Sequence, residues 1–368
     1  MDKKGFFIAS TGQHVGKTTT SLGLLAGLKK RYERVGFIKP VGQEHVPTSE
    51  GIRVDKDVAL FKSVYSLPYR FEAMSPVLFP KGFTRSYLDG EICEKQMLEK
   101  IVKSYAEITD DSDVMVIEGT GHVGVGDIVN LNNAEVAHAL GTDIVMIASG
   151  GLGSSIDAIA LNKAMCDSKG VKIAGVILNR VLDDKREMIL KYFKKALERW
   201  EIPLLGCIPY DPFLSNPSMR DYASLFNSKL FAGQEHQYRH FDHRRLVATS
   251  NTVYQNLITH SQLIITPASR DDIILSTLDA HKKRDLEGGF IFTGSHPPSK
   301  HIIEAIKEAN IPSFYVAKTS FDTMQEIASH TAKIRQGDLA KVAEAIELVE
   351  SHIDFEKLIA VTGLPATE

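Results

Sequence analysis

Residues 6–23 read FFIASTGQHVGKTTTSLG, and this stretch decides the fold. The apolar run Phe6–Ala9 predicts a buried strand, Gly16-Lys17-Thr18 closes a turn, and a helical pattern follows. A strand, a turn ending in Gly-Lys-Thr and a helix, in this order, are typical of a phosphate-binding loop. In such a loop, backbone N–H groups of the turn and of the helix N-terminus hold phosphate oxygens.

The loop supplies most of the expected nucleotide contacts. We expect Lys17 to reach the outer phosphates of ATP in a catalytic role, and the Thr18 hydroxyl to bind Mg²⁺. The other nucleotide-binding residues predicted here are Gly12, Gln13, His14, Val15, Gly16 and Thr19. Thr11 stands where the common motif has its first glycine. The alternative is a strand–turn–helix corner with a chance Gly-Lys-Thr.

Composition and charge argue against several classes of protein. The 368 residues are 43% hydrophobic and 24% charged, which is ordinary for a globular protein long enough for two domains. The net charge of −3 does not favour nucleic acid. The three cysteines are far apart and fit a reducing compartment. The first strand follows the start too closely for a signal peptide, and no apolar run approaches the roughly 18 residues that cross a bilayer. We expect a cytoplasmic protein that binds neither nucleic acid nor membrane.

Short apolar runs alternate with helical patterns through the first 225 residues. We predict the α/β fold of P-loop NTPases, with a mainly parallel sheet and helices on both faces. Its predicted strands are Phe6–Ala9, Val35–Ile38, Val114–Ile117, Ile144–Ala148, Val171–Leu178 and Leu204–Ile208. Its predicted helices include Thr18–Arg31, Ala134–Leu140, Ser155–Ser168 and Arg186–Trp200. Ligands of such sheets bind at the carboxyl ends of the strands.

The pattern breaks after Pro209 and resumes as a second, smaller α/β unit. We predict a nucleotide-binding domain over 1–225, a linker over 226–245, a second domain over 246–345, and a C-terminal helix and tail over 346–368. The strands predicted in the second domain are Leu263–Thr266, Gly289–Thr293 and Phe314–Ala317. His236, His240 and His243 lie in the linker, and we favour a solvated segment over a metal site because no cysteine pair is nearby.

Charged side chains follow three strand or helix boundaries of the first domain. Lys39 ends the second strand, where it could neutralise a phosphate or a substrate carboxylate, or be an ordinary exposed lysine. Asp57 opens a short helix, as a Mg²⁺ ligand or as a helix cap. Glu118 follows four apolar residues and precedes a glycine-rich turn, so we expect it to be the second carboxylate ligand of Mg²⁺.

Asn179 and Arg180 end another predicted strand and complete the predicted nucleotide site. The amide of Asn179 offers both a donor and an acceptor, which suits the edge of an adenine ring. Asn is equally favoured in turns, and the sequence leaves the two interpretations open.

Together these motifs resemble the dethiobiotin synthetase-like group of phosphate-loop proteins. The resemblance covers about residues 1–225 and rests on Thr11–Thr18, Gly36–Val41, Asp57–Phe61, Glu118–Gly121, Gly175–Asn179 and Leu205–Pro209. It implies that Lys17 and Lys39 contact phosphates and substrate. It also implies that Thr18, Asp57 and Glu118 hold Mg²⁺ and that Asn179 reads adenine.

One residue departs from the dethiobiotin synthetase pattern and changes the family member that we expect this chain to resemble. Residues 39–44 read KPVGQE, so Gln43 stands where dethiobiotin synthetases typically have a short hydroxyl residue that helps to hold the diamine carbamate. The Gln43 form resembles the synthetase-like N-terminal domain of long bacterial phosphate acetyltransferases. Residues 263–275 read LIITPASRDDIIL and resemble the DRTGG domain that follows it in those enzymes. The remaining tail is too short for the acetyltransferase domain, so we expect a stand-alone copy of the two-domain regulatory part.

The resemblance implies an ATP-binding regulatory or sensor protein. Its DRTGG-like domain would bind a small effector or mediate self-association, and we expect a homo-oligomer, a dimer. The alternative is a Mg·ATP-dependent ligase that activates a carboxylate or carbamate, as dethiobiotin and cobyrinate amide synthetases do, so enzymatic turnover stays open. A scaffold that no longer binds nucleotide is disfavoured because Lys17, Thr18 and Glu118 are retained.

We predict that the protein lacks dethiobiotin synthetase activity, because Gln43 alters the pocket that would hold the diamine carbamate. Incubation with diaminopelargonic acid, bicarbonate and Mg·ATP should release no phosphate above the background measured without the diamine. Robust formation of dethiobiotin would contradict the regulatory assignment and favour the ligase.

Overall fold

The computed structural model describes residues 4–48, 50–284 and 286–366. These residues form two compact units. The first unit comprises the described residues of 1–211 and of 334–368, and the second comprises those of 212–333. The second unit is therefore inserted into the chain of the first. None of the described helices combines the length and the apolar character that a bilayer crossing requires.

A six-stranded parallel sheet forms the centre of the first unit, in the order β10-β9-β8-β1-β7-β2. Two short ladders, β3 with β6 and β4 with β5, lie outside it. The strands are β1 Gly5–Ser10, β2 Val35–Ile38, β3 Val41–Gly42, β4 His45–Pro47, β5 Arg53–Asp55, β6 Val77–Leu78, β7 Val114–His122, β8 Ile144–Ser149, β9 Ile173–Val181 and β10 Leu204–Pro209. The predicted parallel α/β sheet is confirmed.

Strand β7 illustrates why the sheet is buried on both faces. The consecutive residues Val114, Met115, Val116, Ile117 and Glu118 are all fully buried, although successive side chains of a strand point to opposite faces. A strand with this pattern needs cover on both sides, as in parallel α/β sheets.

Eight helices before residue 212 and two after residue 333 belong to the first unit, counted over the described residues. They are α1 Lys17–Lys29, α2 Lys56–Tyr65, α3 Phe71–Met74, α4 Phe83–Leu88, α5 Glu94–Asp110, α6 Asn133–Ala139, α7 Gly153–Ser168, α8 Arg186–Glu198, and then α15 Leu339–Glu350 and α16 Phe355–Thr362. The helices α9 to α14, which come between α8 and α15 in the chain, lie in the second unit. The four predicted helices match α1, α6, α7 and α8 apart from their terminal residues.

The C-terminal helices pack closely against α1, the helix that follows the loop. A Cβ atom at Gly23 would lie 2.3 Å from Cβ of Val349 in α15, and one at Gly27 would lie 2.0 Å from the ring of Phe355 in α16. Both values are far below van der Waals contact, so the two glycines allow the helix backbones to approach. Lys30, just after α1, also pairs with Glu350 at 2.8 Å.

The second unit is a four-stranded parallel sheet in the order β11-β12-β13-β14. Its strands are β11 His243–Leu246, β12 Gln262–Pro267, β13 Gly289–Thr293 and β14 Ser313–Val316. Its helices are α9 Pro212–Ser215, α10 Met219–Leu225, α11 Asn251–Gln255, α12 Asp271–Arg284, α13 Lys300–Glu308 and α14 Ser320–Ser329. Alternate strand residues enter two hydrophobic clusters, one with α11, α12 and α13 and the other with α10 and α14.

The two units divide at other residues than the predicted boundaries. Residues 226–245, expected to be a linker, contribute Ala232 and Phe241 to the buried clusters of the second unit. The second unit also begins earlier, with α9 and α10, and ends near residue 333. The segment expected as a C-terminal helix and tail belongs to the first unit, where α15 and α16 cover α1. The predicted pattern missed these boundaries because polar and aromatic residues of the segment 226–245 pack without regular periodicity.

We predict that Gly23→Ala lowers the free energy of unfolding by about 1–3 kcal/mol, the usual cost of an overpacked core. The new methyl group would meet the stiff base of the Val349 side chain, which is fully buried. Gly153→Ala in α7 is the matched control because its new Cβ would meet no atom within 4 Å. Urea unfolding should separate the two variants, and equal stabilities would contradict the close approach of α1 and α15.

Candidate nucleotide site

The loop between β1 and α1 lies at the carboxyl end of the central strand of the sheet. Strand β1 is flanked by β7 on one side and by β8 on the other. The strands β2 and β7 lie on one side of β1, whereas the later strands β8, β9 and β10 lie on the other side, so the strand order reverses at β1. Such a reversal of strand order creates the crevice in which open α/β sheets bind ligands. Gly16 takes φ +95°, and a Cβ there would lie 2.2 Å from Nδ2 of Asn179, so the position requires glycine. Helix α1 then begins at Lys17.

Lys17 lies across the loop and contacts two oxygen atoms. Its Nζ donates to the Ser10 hydroxyl at 3.0 Å and to the carbonyl of Gly121 at 2.8 Å. Ser10 Oγ also donates to Gly12 O at 2.7 Å, which ties the loop to the end of β1. Burial lowers the pKa of Lys17 to about 8, with the charge of Glu118 opposing the shift.

Lys39 occupies the centre of a buried cluster of three carboxylates. Its Nζ donates to Asp57, lies 3.3 Å from Glu118 Oε1 and lies 3.4 Å from Asp55 Oδ1. All four side chains are at most 8% exposed. Asp55 also caps α2 by accepting the N–H of Asp57 at 2.9 Å. The second Lys39 interpretation, an ordinary exposed lysine, is therefore wrong.

Burial and the charge of Lys39 shift the pKa values of the three carboxylates in opposite directions. Burial alone would lower the pKa of Lys39, but Asp57, Glu118 and Asp55 outweigh it and hold that pKa well above its ordinary value. Burial would likewise raise the pKa of Asp57, but Lys39 outweighs it and the pKa of Asp57 is lowered. For Asp55 burial dominates and the pKa is raised. For Glu118 burial dominates strongly, and the pKa rises to about 7 despite Lys39.

The oxygen atoms near the loop fit a Mg²⁺ ion bound together with phosphates. Thr18 Oγ1 lies 3.5 Å from Glu118 Oε1, and the other carboxylate oxygen, Oε2, is buried without a hydrogen-bond partner. Hydroxyl and carboxylate oxygens are the donors that Mg²⁺ prefers, completed by phosphate oxygens and water. In the described ranges, no group of three or more His, Cys, Asp or Glu side chains is arranged to hold a metal by itself.

Strand β7 runs further than the four residues predicted. It continues to His122, and Glu118 lies inside the strand rather than at its tip. Asn133 of α6 holds the extension, because its Oδ1 accepts the N–H of Thr120 at 3.1 Å and its Nδ2 donates to the carbonyls of Thr120 and His122. This extension brings the carbonyl of Gly121 to Lys17.

Asn179 and Arg180 contact the loop directly. Asn179 Nδ2 donates to the carbonyl of Val15 at 2.8 Å, and its Oδ1 accepts the N–H of Arg180 at 2.9 Å. Arg180 Nη1 donates to the carbonyl of His14 at 3.1 Å. Each polar atom of the Asn179 amide thus makes one hydrogen bond within the protein and keeps a second position, a proton on Nδ2 and a lone pair on Oδ1. The adenine role stays a prediction.

The remaining predicted nucleotide-binding residues lie in the loop and in the first turn of α1. Gln13 and His14 are exposed at the tip of the loop, and Thr19 lies in the first turn of α1. Asn162 of α7, which was not predicted, connects the loop to the end of β7. Its Nδ2 donates to Thr11 O at 3.3 Å, and its Oδ1 accepts the N–H of Val123 at 2.9 Å. An asparagine in the middle of a helix, on its buried side, is the only signal that could have indicated it.

In the segment that resembles the DRTGG domain, Arg270 and Asp272 are engaged in local contacts. Arg270 donates to both carboxylate oxygens of Asp272 at 2.8 Å and to the carbonyl of Thr249 at 3.1 Å. Asp271 begins α12, so the acidic pair starts a helix. In the predicted linker, His240 Nδ1 lies 2.9 Å from the carbonyl of Asn216, and its ring packs against Phe213.

We predict that Glu118→Gln changes how stability depends on pH. Between pH 4.5 and 7 the unfolded chain loses the Glu118 proton while the folded chain retains it, so the free energy of unfolding of the wild type falls as pH rises. Glutamine does not titrate, so the variant should gain on the order of 3 kcal/mol relative to the wild type across this window. Urea unfolding at several pH values, in the presence of a chelator, measures the difference.

The matched control is Glu99→Gln on the exposed face of α5. It should follow the pH profile of the wild type. Parallel profiles for Glu118→Gln and the wild type would contradict the raised pKa of Glu118.

Comparison with known proteins gives two family matches that follow each other along the chain. A model of the AAA domain matches residues 4–218, and a model of the DRTGG domain matches residues 221–330. Neither match includes α15 or α16. A putative plasmid partition protein from Borrelia burgdorferi bound to AMPPNP covers 58% of this chain and 90% of its own, with 16% identity and a TM-score of 0.38. A likeness of that size says nothing about ligands.

The curated relatives include phosphate acetyltransferases of several bacteria. Those of Nitrosomonas europaea and Pseudomonas aeruginosa are 27% and 29% identical, over 98% of this chain and 52% of their own length. The chain thus spans about half the length of these relatives, as expected for the N-terminal region of a long phosphate acetyltransferase. The AAA domain model alone accounts for more than half of the chain, and the chain therefore belongs to that family, with a DRTGG domain following.

Proposed function

We propose that the first unit binds Mg·ATP at the Thr11–Thr18 loop and that the chain acts as a nucleotide-dependent regulatory module. The convergence of two lysines, Lys17 and Lys39, with Thr18 and Glu118 carries the proposal. The charge of Lys17 beside a helix N-terminus suits a polyanionic ligand, and the charge of Lys39 balances the carboxylates next to it. The relatives named above support a role connected with acetyl phosphate metabolism, whereas acetyl transfer itself is not proposed for the matched half.

Each residue of the site has a role in this proposal. Backbone N–H groups of the loop and of the first turn of α1 would hold phosphate oxygens, and Lys17 would exchange the carbonyl of Gly121 for the outer phosphates. Thr18, Asp57 and Glu118 would hold Mg²⁺, which neutralises phosphate charge when bound. Lys39 keeps Asp57 ionised and holds Asp57 and Glu118 close together, and Arg180 fixes the loop from the side.

The proposal extends to the rest of the chain. The DRTGG domain would bind a small effector, and two copies of the chain would associate as a dimer. The cellular compartment that fits its three free cysteines is the cytoplasm. The effector and the dimer rest on the resemblance stated above and on no contact of the described residues.

We predict that Lys17→Ala weakens Mg·ATP binding at least tenfold, or about 1.4 kcal/mol, because the charge that faces the outer phosphates is lost. Lys29→Ala is the matched control, since Lys29 is exposed at the other end of the same helix. Titration calorimetry with Mg·ATP measures both variants. Equal affinities of Lys17→Ala and the wild type would contradict the nucleotide site.

Thermal unfolding with ATP, in the presence and absence of Mg²⁺, separates the metal from the nucleotide. Measured against its own ligand-free midpoint at the same pH, Glu118→Gln should lose most of the extra stabilisation that Mg²⁺ adds to ATP, because only ligand bound to the native state raises the midpoint. If Glu118→Gln loses ATP binding both with and without Mg²⁺, Glu118 maintains the structure of the site and the proposed role as a Mg²⁺ ligand is wrong.

An ATP-dependent ligase is the second candidate function. Lys39 favours it, because a buried second lysine beside the proposed Mg²⁺ ligands is the group that would meet a substrate carboxylate or carbamate. ADP formation distinguishes the two functions. A regulatory module should turn over slowly whatever small acid is added, whereas a ligase should release ADP only when its acid substrate and nucleophile are both present.

A further inference from the structure

The first unit contains a pocket that the nucleotide site does not use. It lies beside the ends of β3 and β6 and the start of α4. Its lining includes Gln43, Phe79, Pro80, Phe83, Thr84 and Arg85. Its volume is about 430 Å³, within the range of small-molecule sites. Phe79 N donates to the carbonyl of Gly42 at 2.8 Å, which fixes the two walls relative to each other.

One wall of the pocket is aromatic and held in place by the backbone. The rings of Phe79 and Phe83 stack with centroids 4.3 Å apart and planes at 20°. Between them the chain turns through Gly82 at φ +90°, and the N–H of Phe83 donates to the carbonyl of Pro80 at 3.0 Å. The stacked pair therefore offers a flat apolar surface at the side of the pocket.

The polar side chains of the pocket have no partners elsewhere in the described parts of the chain. Gln43, Thr84 and Arg85 make no side-chain hydrogen bond or ion pair there. Two other arginines of the first unit are held by carboxylates: Arg34 pairs with Asp113 at 2.6 Å and Arg70 with Glu107 at 2.9 Å. Arg85 thus presents an uncompensated guanidinium beside an apolar wall.

We propose that this pocket binds a small organic carboxylate with a flat apolar body. The guanidinium of Arg85 matches a planar carboxylate with two parallel hydrogen bonds. The body of the ligand would pack against Phe79 and Phe83, while Gln43 and Thr84 supply further hydrogen bonds. A single arginine is the only cation in the lining, which favours a singly charged carboxylate over a doubly charged phosphate.

The pocket is connected to the nucleotide site through β3. Three residues separate Lys39 from Gln43, and the Thr120 hydroxyl, two residues after Glu118, donates to the carbonyl of Val41. The carboxylate proposal does not require nucleotide, so its test is made without ATP and fails or succeeds independently of the nucleotide proposal.

The experiment uses the full chain and benzoate as the probe, with ligand-observed saturation-transfer NMR giving the dissociation constant. Benzoate should bind, benzyl alcohol should bind at least tenfold more weakly because it lacks the charge, and phenyl phosphate should not exceed benzoate. Arg85→Gln should weaken benzoate binding at least tenfold. Lys81→Gln removes a charge from the same loop outside the lining and should leave the affinity unchanged.

Three results would overturn the proposal. They are the absence of benzoate binding to the wild type, equal affinity of Arg85→Gln and the wild type, and tighter binding of phenyl phosphate than of benzoate. Thermal midpoints of both variants should match the wild type, because both side chains are exposed. Phe83→Leu gives a second measure: it should weaken benzoate and benzyl alcohol by the same factor, and an unchanged affinity for both would remove the aromatic wall from the site.

Discussion

The ammonium group of Lys39 is the interaction on which the geometry of the first unit depends. It joins three elements, since Lys39 follows β2, Asp55 and Asp57 lie at the start of α2, and Glu118 lies in β7. Three buried carboxylates would repel one another without it, and removing one partner of a buried ion pair typically costs about 3–5 kcal/mol. Because Glu118 also faces Thr18, the same cation positions the acidic side of the phosphate-binding loop.

Three asparagine side chains hold the loop and the neighbouring end of β7 by hydrogen bonds. Asn133 holds the end of β7, Asn162 joins β7 to Thr11, and Asn179 binds the carbonyl of Val15. Each of these residues satisfies backbone groups that buried loops would otherwise leave unpaired. The loop is therefore held in its curved form by the protein itself, which reduces the ordering that binding of a polyanion must impose.

The sequence was sufficient for those parts that depend on local chemistry. The strand–loop–helix order of residues 6–23 and the buried apolar runs predicted the parallel sheet, because period and turn residues are local signals. Asn133 and Asn162 were not predicted, since their roles arise from contacts between distant segments. The domain boundaries failed for a similar reason: Ala232 and Phe241 are buried by neighbours in space, and no periodic pattern surrounds them in the chain.

The return of α15 and α16 to the first unit has a consequence for biosynthesis. Helix α1 emerges from the ribosome before roughly 300 further residues are made, which takes about 15–60 s at 5–20 residues per second. Throughout that interval Gly23 and Gly27 lack the side chains of Val349 and Phe355 that cover them. The first unit is thus begun before the inserted DRTGG domain and completed after it, while the inserted domain has all its own strands available earlier. During translation a nascent chain of this protein therefore exposes the face of α1 that α15 and α16 later cover.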